Sequence, residues 1–212
     1  MASRDACSSP ATFFTSTRRH DKGTEPAIAR HAADRMPAWG MVDDLQDPRR
    51  EEPAFVLPER KMLEAWLEFH RVTLLLKCEG LDDESRKSRP VASSKLSLHG
   101  LVRHMAEVER NWFRRVLLQD EDASPIWYDP AIDDRELVPL DDADWAADLR
   151  AWQAECDGSR QAAASRDLDD TGVRHGRPCS LRWIYVHMIE EYARHNGHAD
   201  LLRELTDGRV GW

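Results

Sequence analysis

The segment Trp183-Ile-Tyr-Val-His-Met-Ile-Glu-Glu-Tyr-Ala-Arg-His-Asn-Gly-His-Ala-Asp-Leu-Leu-Arg-Glu, residues 183–204, carries two patterns on one period. The first is apolar. Leu181, Ile184, Met188 and Tyr192 recur at steps of three and four, and Leu201 continues the same side, as in an amphipathic helix. Pro178 stands just before this run. Ser180 is placed to cap its first turn, because a serine hydroxyl accepts from backbone N–H groups that have no partner inside the helix. The second pattern is chemical. His187, Glu191 and His195 are separated by four and four residues, so their side chains stand one turn apart on one face, and His198 follows three residues later near that face.

Three earlier segments have the same period. From Pro58 to about Lys77 the residues Leu63, Trp66, Leu67, His70 and Leu74 form a stripe, and Gly80 offers a left-handed position after its last turn. Ser97 caps a helix from His99 to about Leu118, with Leu98, Leu101, Met105, Val108, Trp112 and Val116 on one side. Pro125, Pro130 and Pro139 bracket a connection, after which Asp141 or Asp142 opens a helix to about Ala164 bearing Trp145, Leu149, Trp152 and Cys156. Four helices of this length bury their stripes together as one bundle, so the expected fold is all-α, an antiparallel four-helix bundle spanning residues 53–212. Residues 1–52 are a poorly patterned extension rich in Ser, Thr, Arg, Asp and Ala, and do not read as a fold of their own.

The second helix supplies His104, with Glu107 three residues on. A histidine pair and a carboxylate from two facing helices make a borderline-hard donor set suited to zinc, with nickel, cobalt, iron and manganese left open. Other readings stand beside this one. A single helical histidine is ordinarily a packed or surface residue, and Glu191 alone reads as a surface or ion-paired carboxylate. His70 lies on an apolar stripe and reads as a hydrogen-bonded core residue. His99 and His175 have no distinctive spacing, and His20 and His31 sit in the unpatterned extension. The tryptophan repeats read first as core filling.

Composition narrows the function classes. The formal charge of −9, of which −8 falls on residues 53–212, disfavours broad nucleic-acid or anionic-membrane binding. The longest apolar runs fall short of a membrane span, and the N-terminus lacks the apolar core of a signal peptide, so a cytoplasmic protein is expected. Cys7, Cys78, Cys156 and Cys179 lack metal-binding spacing and read as reduced thiols. HExxH, P-loop and GxGxxG motifs are absent from the sequence.

Residues 56–209 resemble the DinB-like proteins of the DUF664 branch, related to bacterial mycothiol-dependent enzymes. The stretches that carry the resemblance are Leu98-His-Gly-Leu-Val-Arg-His-Met-Ala-Glu-Val-Glu-Arg-Asn-Trp-Phe and the segment 183–204. The resemblance implies a DinB-like four-helix bundle with a divalent-metal site at a helix interface, often with dimerisation. It matches the first metal histidine of the family to His104 and the last-helix histidine to His195. Where many relatives have another histidine, four residues before the latter, this chain has Glu191. The implied ligands are therefore His104, Glu191 and His195, which are also the expected catalytic centre, with Glu107, His187 and His198 in reserve.

Such a centre with an open position binds a thiol and stabilises its thiolate for attack on an electrophile. The leading functional reading is a metal-dependent S-transferase or isomerase that uses a low-molecular-weight thiol, with zinc as the metal and mycothiol favoured by the resemblance. Arg103, Arg110 and Arg194 are candidate contacts for an anionic group of the thiol cofactor, and Trp112 and Tyr192 are candidate pocket-edge residues. The expected partners are that thiol, a small electrophilic molecule and a second copy of the chain. A second reading replaces the thiol with water, whose proton goes to Glu107 or to Glu191 if it is unligated. A third is a noncatalytic metal- or small-molecule-binding bundle.

Overall fold

Hydroxyl and carboxylate caps open every described α-helix after the first, which follows Pro58 without a side-chain cap. The computed structural model describes residues 47–210 apart from positions 128, 130, 133 and 139. Most of the expected extension, with Cys7, His20 and His31, lies outside the described residues, as do Pro130 and Pro139. Helix α1 (Glu59–Cys78) follows Pro58, and after it Gly80 takes φ +74°, the left-handed position its sequence suggested. A short α2 (Asp83–Lys87) interrupts the next connection. Helix α3 (Leu98–Glu109) begins at Ser97, whose Oγ accepts from Gly100 N at 3.0 Å, and continues without a break as a π-helical segment over Arg110–Leu117.

Helix α4 (Trp145–Ala164) starts later than Asp141 or Asp142. Asp144 is the residue whose Oδ1 reaches two free donors, Ala146 N at 2.9 Å and Ala147 N at 3.3 Å. Two strands then form an antiparallel hairpin, β1 (Thr171–Arg174) and β2 (Arg177–Ser180), in register Thr171↔Ser180 to Arg174↔Arg177. His175 and Gly176 turn the hairpin with positive φ at both positions. This hairpin adds to the helical expectation a small β element. Helix α5 (Leu181–Asp207) begins at Ser180, whose Oγ accepts from Trp183 N, and ends at the left-handed Gly208.

Pairings between helices fix their directions. Arg182 near the start of α5 meets Glu59 at the start of α1, and Lys77 near the end of α1 meets Asp200 late in α5, so α1 and α5 run parallel. His99 meets Asp148 and Arg110 meets Glu155, so α3 and α4 also run parallel. Arg60 at the start of α1 donates to Ala163 O at the end of α4, and Glu109 meets Tyr192, so the two pairs are antiparallel to each other. The expected antiparallel bundle thus has an up-down-down-up order, made possible by the long connection from residue 118 to 144.

Leu67 and Leu74 of α1, Leu101 and Met105 of α3, Trp152 of α4, and Ile184, Met188 and Tyr192 of α5 are buried together. Each fully buried side chain of this size contributes roughly 1.5–3 kcal/mol. Among the described residues Cys78, Cys156 and Cys179 are free thiols. No helix of the described residues is long and apolar enough to cross a membrane.

Candidate metal centre

Where α3 crosses α5, the two helices bring together residues from distant parts of the chain. His104 of α3 and Glu191 and His195 of α5 each offer one ligand atom, and the three atoms lie within 4.8 Å of one another. The His104 and His195 rings are 4.7 Å apart between centroids and inclined at 60°. His195 Nε2 lies 3.6 Å from Glu191 Oε2, too far for a hydrogen bond. That gap matches a bound ion: two atoms each about 2.1 Å from a tetrahedral zinc stand roughly 3.4 Å apart. The side chains of His104, Glu191 and His195 are 25%, 23% and 12% exposed, so each keeps partial contact with solvent.

The far atom of each candidate ligand has its own partner. His104 Nδ1 faces Glu136 Oε1 at 3.5 Å, His195 Nδ1 faces His198 Nδ1 at 3.4 Å, and Glu191 Oε1 faces His187 Nε2 at 3.2 Å. Contacts of this kind orient a ligand so that its other atom points inward. Burial, followed by the neighbouring His104 and His198, pulls the His195 pKa down to about 4, so its ring is neutral at pH 7 and keeps a lone pair for a cation. His104 beside it holds Glu136 below the ordinary carboxylate range. The donor set therefore fits a divalent ion.

A second cluster, His187, Glu190 and Glu191, also gathers ligand atoms. Here the imidazole faces its two carboxylates with different nitrogens, Nδ1 toward Glu190 at 3.4 Å and Nε2 toward Glu191 at 3.2 Å. A single lone pair cannot serve both directions, so this trio is better suited to holding His187 by hydrogen bonds than to chelation. Trp183 stacks on His187 at 4.9 Å and Trp112 meets it edgewise at 4.5 Å, while the Arg174 guanidinium lies 4.1 Å over Trp112. Trp112 is buried and packs on His187, whose Nε2 lies 3.2 Å from Glu191.

The other expected contacts fall elsewhere. Tyr192 is fully buried on the core side of α5, where its hydroxyl donates to Glu109 at 2.8 Å and accepts from Trp152 Nε1 at 3.0 Å. It is a core hydrogen-bonding residue and not a pocket edge, because it follows Met188 along the apolar stripe. Arg110 is tied to Glu155 and to Ser124 O, and the exposed Arg194 pairs with Glu190 along its own helix. Arg103 faces α4 and the long connection, with its Nε 3.6 Å from Asp148. Glu107 Oε1 accepts from Ile126 N and Trp127 N, both at 2.7 Å, so it anchors the connection, and Glu107 is not in either of the ligand clusters found among the described residues. Glu136 was missed by the sequence reading. It lies in an irregular stretch, where no period relates it to His104.

A family model described as mycothiol-S-transferase matches residues 62–208. No curated protein matches the chain.

Proposed function

The chain belongs to the mycothiol-S-transferase family, and from that premise we propose a metal-dependent enzyme that joins a low-molecular-weight thiol such as mycothiol to a small electrophile. Family membership and the candidate clusters support a metal-associated DinB-like enzyme as the broader statement. The observation that carries the finer reading is the convergence of His104, Glu191 and His195, each in partial contact with solvent.

In this reading the three side chains hold one divalent ion, zinc, through two imidazole nitrogens and one carboxylate. When bound, the ion supplies a Lewis acid that lowers the pKa of a thiol. Glu136, His198 and His187 keep the three donors aimed inward. Trp112 and Trp183 wall one side of His187, restricting water there. The thiol proton leaves to solvent, the sulfur forms the new bond, and the electrophile's leaving group departs with its electron pair. In an isomerase no leaving group departs: the thiol adds across a conjugated double bond, the adduct rotates about the resulting single bond, and the same thiol is expelled with its electron pair as the double bond re-forms. The proposal also takes the enzyme as a cytoplasmic homodimer whose catalytic bundle spans residues 53–212.

Elemental analysis of gently purified protein, paired with an electrophile panel assayed with and without mycothiol, tests this. About one zinc per chain, lost in His104→Gln and His195→Gln, and product formation that needs both thiol and metal are the expected results. Turnover without thiol assigns hydrolysis instead. Absence of metal after reconstitution, with no turnover, leaves a binding bundle and overturns the proposal.

A further inference from the structure

Arg103 is a buried charge that lacks the partners such a charge needs. The residue is 2% exposed, and its Nε has no hydrogen-bond acceptor among the described residues. Its one ion contact there is the loose 3.6 Å approach to Asp148 Oδ2, an atom already bound to His99 Nε2 at 2.8 Å. A buried guanidinium N–H without an acceptor is costly, and a ligand acceptor at the guanidinium offsets that cost.

The space for such a partner is present. Arg103 lines a cavity of about 330 Å³ between the long connection and the first turn of α4, within the size range of small-molecule sites. Trp127 forms one wall, its ring centroid 4.6 Å from the Arg103 guanidinium carbon. Glu107 fixes that wall by accepting from Trp127 N. The stacked ring leaves the edge of the guanidinium fork for a planar acceptor, and a carboxylate matches that fork with two parallel hydrogen bonds. The lining carries both signs. Arg135 lies in it with Arg103, and Asp141 and Asp142 line it and are exposed, while Asp144 is occupied in capping α4. A molecule with a carboxylate at one end and an ammonium at the other satisfies both signs of this lining.

We propose that this cavity binds a small amino carboxylate, its carboxylate on Arg103 against Trp127 and its ammonium toward Asp141 and Asp142. The site does not use His104, Glu191 or His195, so it stands or falls separately from the metal centre.

Titration calorimetry on the full chain in the presence of a chelator tests it, with glycine, β-alanine and 4-aminobutyrate as probes and acetate, propylamine and inorganic phosphate as comparisons. At least one amino carboxylate is expected to bind saturably at one per chain, tenfold or more tighter than acetate or propylamine. Arg103→Gln should weaken it at least tenfold, and the double variant Asp141→Asn/Asp142→Asn should reduce it to the level of acetate. Without ligand, Arg103→Met should melt at or above the wild-type temperature, because the unsatisfied charge is gone; an arginine with a purely structural role gives a lower melting temperature. No saturable binding of the amino carboxylates, binding unchanged in Arg103→Gln, or phosphate as the tightest probe overturns the inference.

Discussion

The imidazole of His195 packs against His104 and His198, and burial with those two neighbours brings its pKa to about 4, against 6.5 for an ordinary histidine. The consequence for stability has a definite sign. Between pH 6.5 and 4 the unfolded chain takes up a proton at this residue and the native protein does not, so acidification favours unfolding, and the loss is complete below about pH 4. Its size is at most about 3 kcal/mol. In chelator-treated protein, His195→Gln should therefore lose less stability than wild type between pH 7 and pH 4.5, as measured by urea midpoints; equal losses reject the account. A metal bound at His195 would sharpen the dependence, because a coordinating imidazole must be deprotonated. The legibility of this site follows the same local logic. Glu191 and His195 are one turn apart on α5, so their adjacency is written in a four-residue step, and His104 joined them through resemblance. Glu136 meets His104 across 32 residues of irregular chain, and no local pattern encodes that contact.

Two elements went unread from periodicity, for opposite reasons. The π-helical segment Arg110–Leu117 hides inside an apparently continuous stripe. Leu101, Met105, Glu109, Phe113 and Leu117 are all buried at steps of four, yet in an α-helix each such step drifts about 40° around the axis. The wider turn, marked by Leu118 N donating to Phe113 O five residues back, reverses that drift and keeps the later residues on the core. The hairpin is too short to show alternation, and Val173, its most apolar member in β1, is exposed. Gly172 holds it in place. A Cβ there would lie 1.9 Å from Val116 O and 2.7 Å from Leu117 Cα, so the strand backbone rests directly on the end of the π-helical segment. Gly172→Ala should cost about 1–3 kcal/mol by displacing the hairpin. Gly158, within α4, has open space around its Cβ position, and Gly158→Ala should stabilise by up to about 1 kcal/mol. Thermal melts of the two variants that shift in the same direction refute the close packing at Gly172.

Across the whole molecule one carboxylate is shared by all four long helices. Glu109 of α3 accepts from Arg71 of α1 at 2.8 and 2.7 Å, and from Tyr192 of α5 at 2.8 Å, while Cys156 of α4 approaches at 3.7 Å. Trp152 of α4 closes the set by donating to the Tyr192 hydroxyl. Burial opposes the Arg71 charge, but Glu109 more than offsets it and holds the guanidinium well above its usual pKa; burial also raises Tyr192 well above its own, keeping the hydroxyl a neutral donor. The amphipathic stripes explain why four helices associate, since apolar burial is not directional. They leave open which helix slides where, and a fully satisfied polar cluster with one contribution from each helix specifies that. Removing a single member should therefore be far worse than neutralising the pair. Arg71→Met strands a buried carboxylate and should cost about 3–5 kcal/mol. Adding Glu109→Gln removes the stranded charge while leaving an acceptor for Tyr192, and should restore more than half of that loss. Urea denaturation of both singles and the double measures the coupling. Simple additivity would show that the cluster does not act as a unit, and that apolar packing alone sets the alignment on which the meeting of His104 with Glu191 and His195 depends.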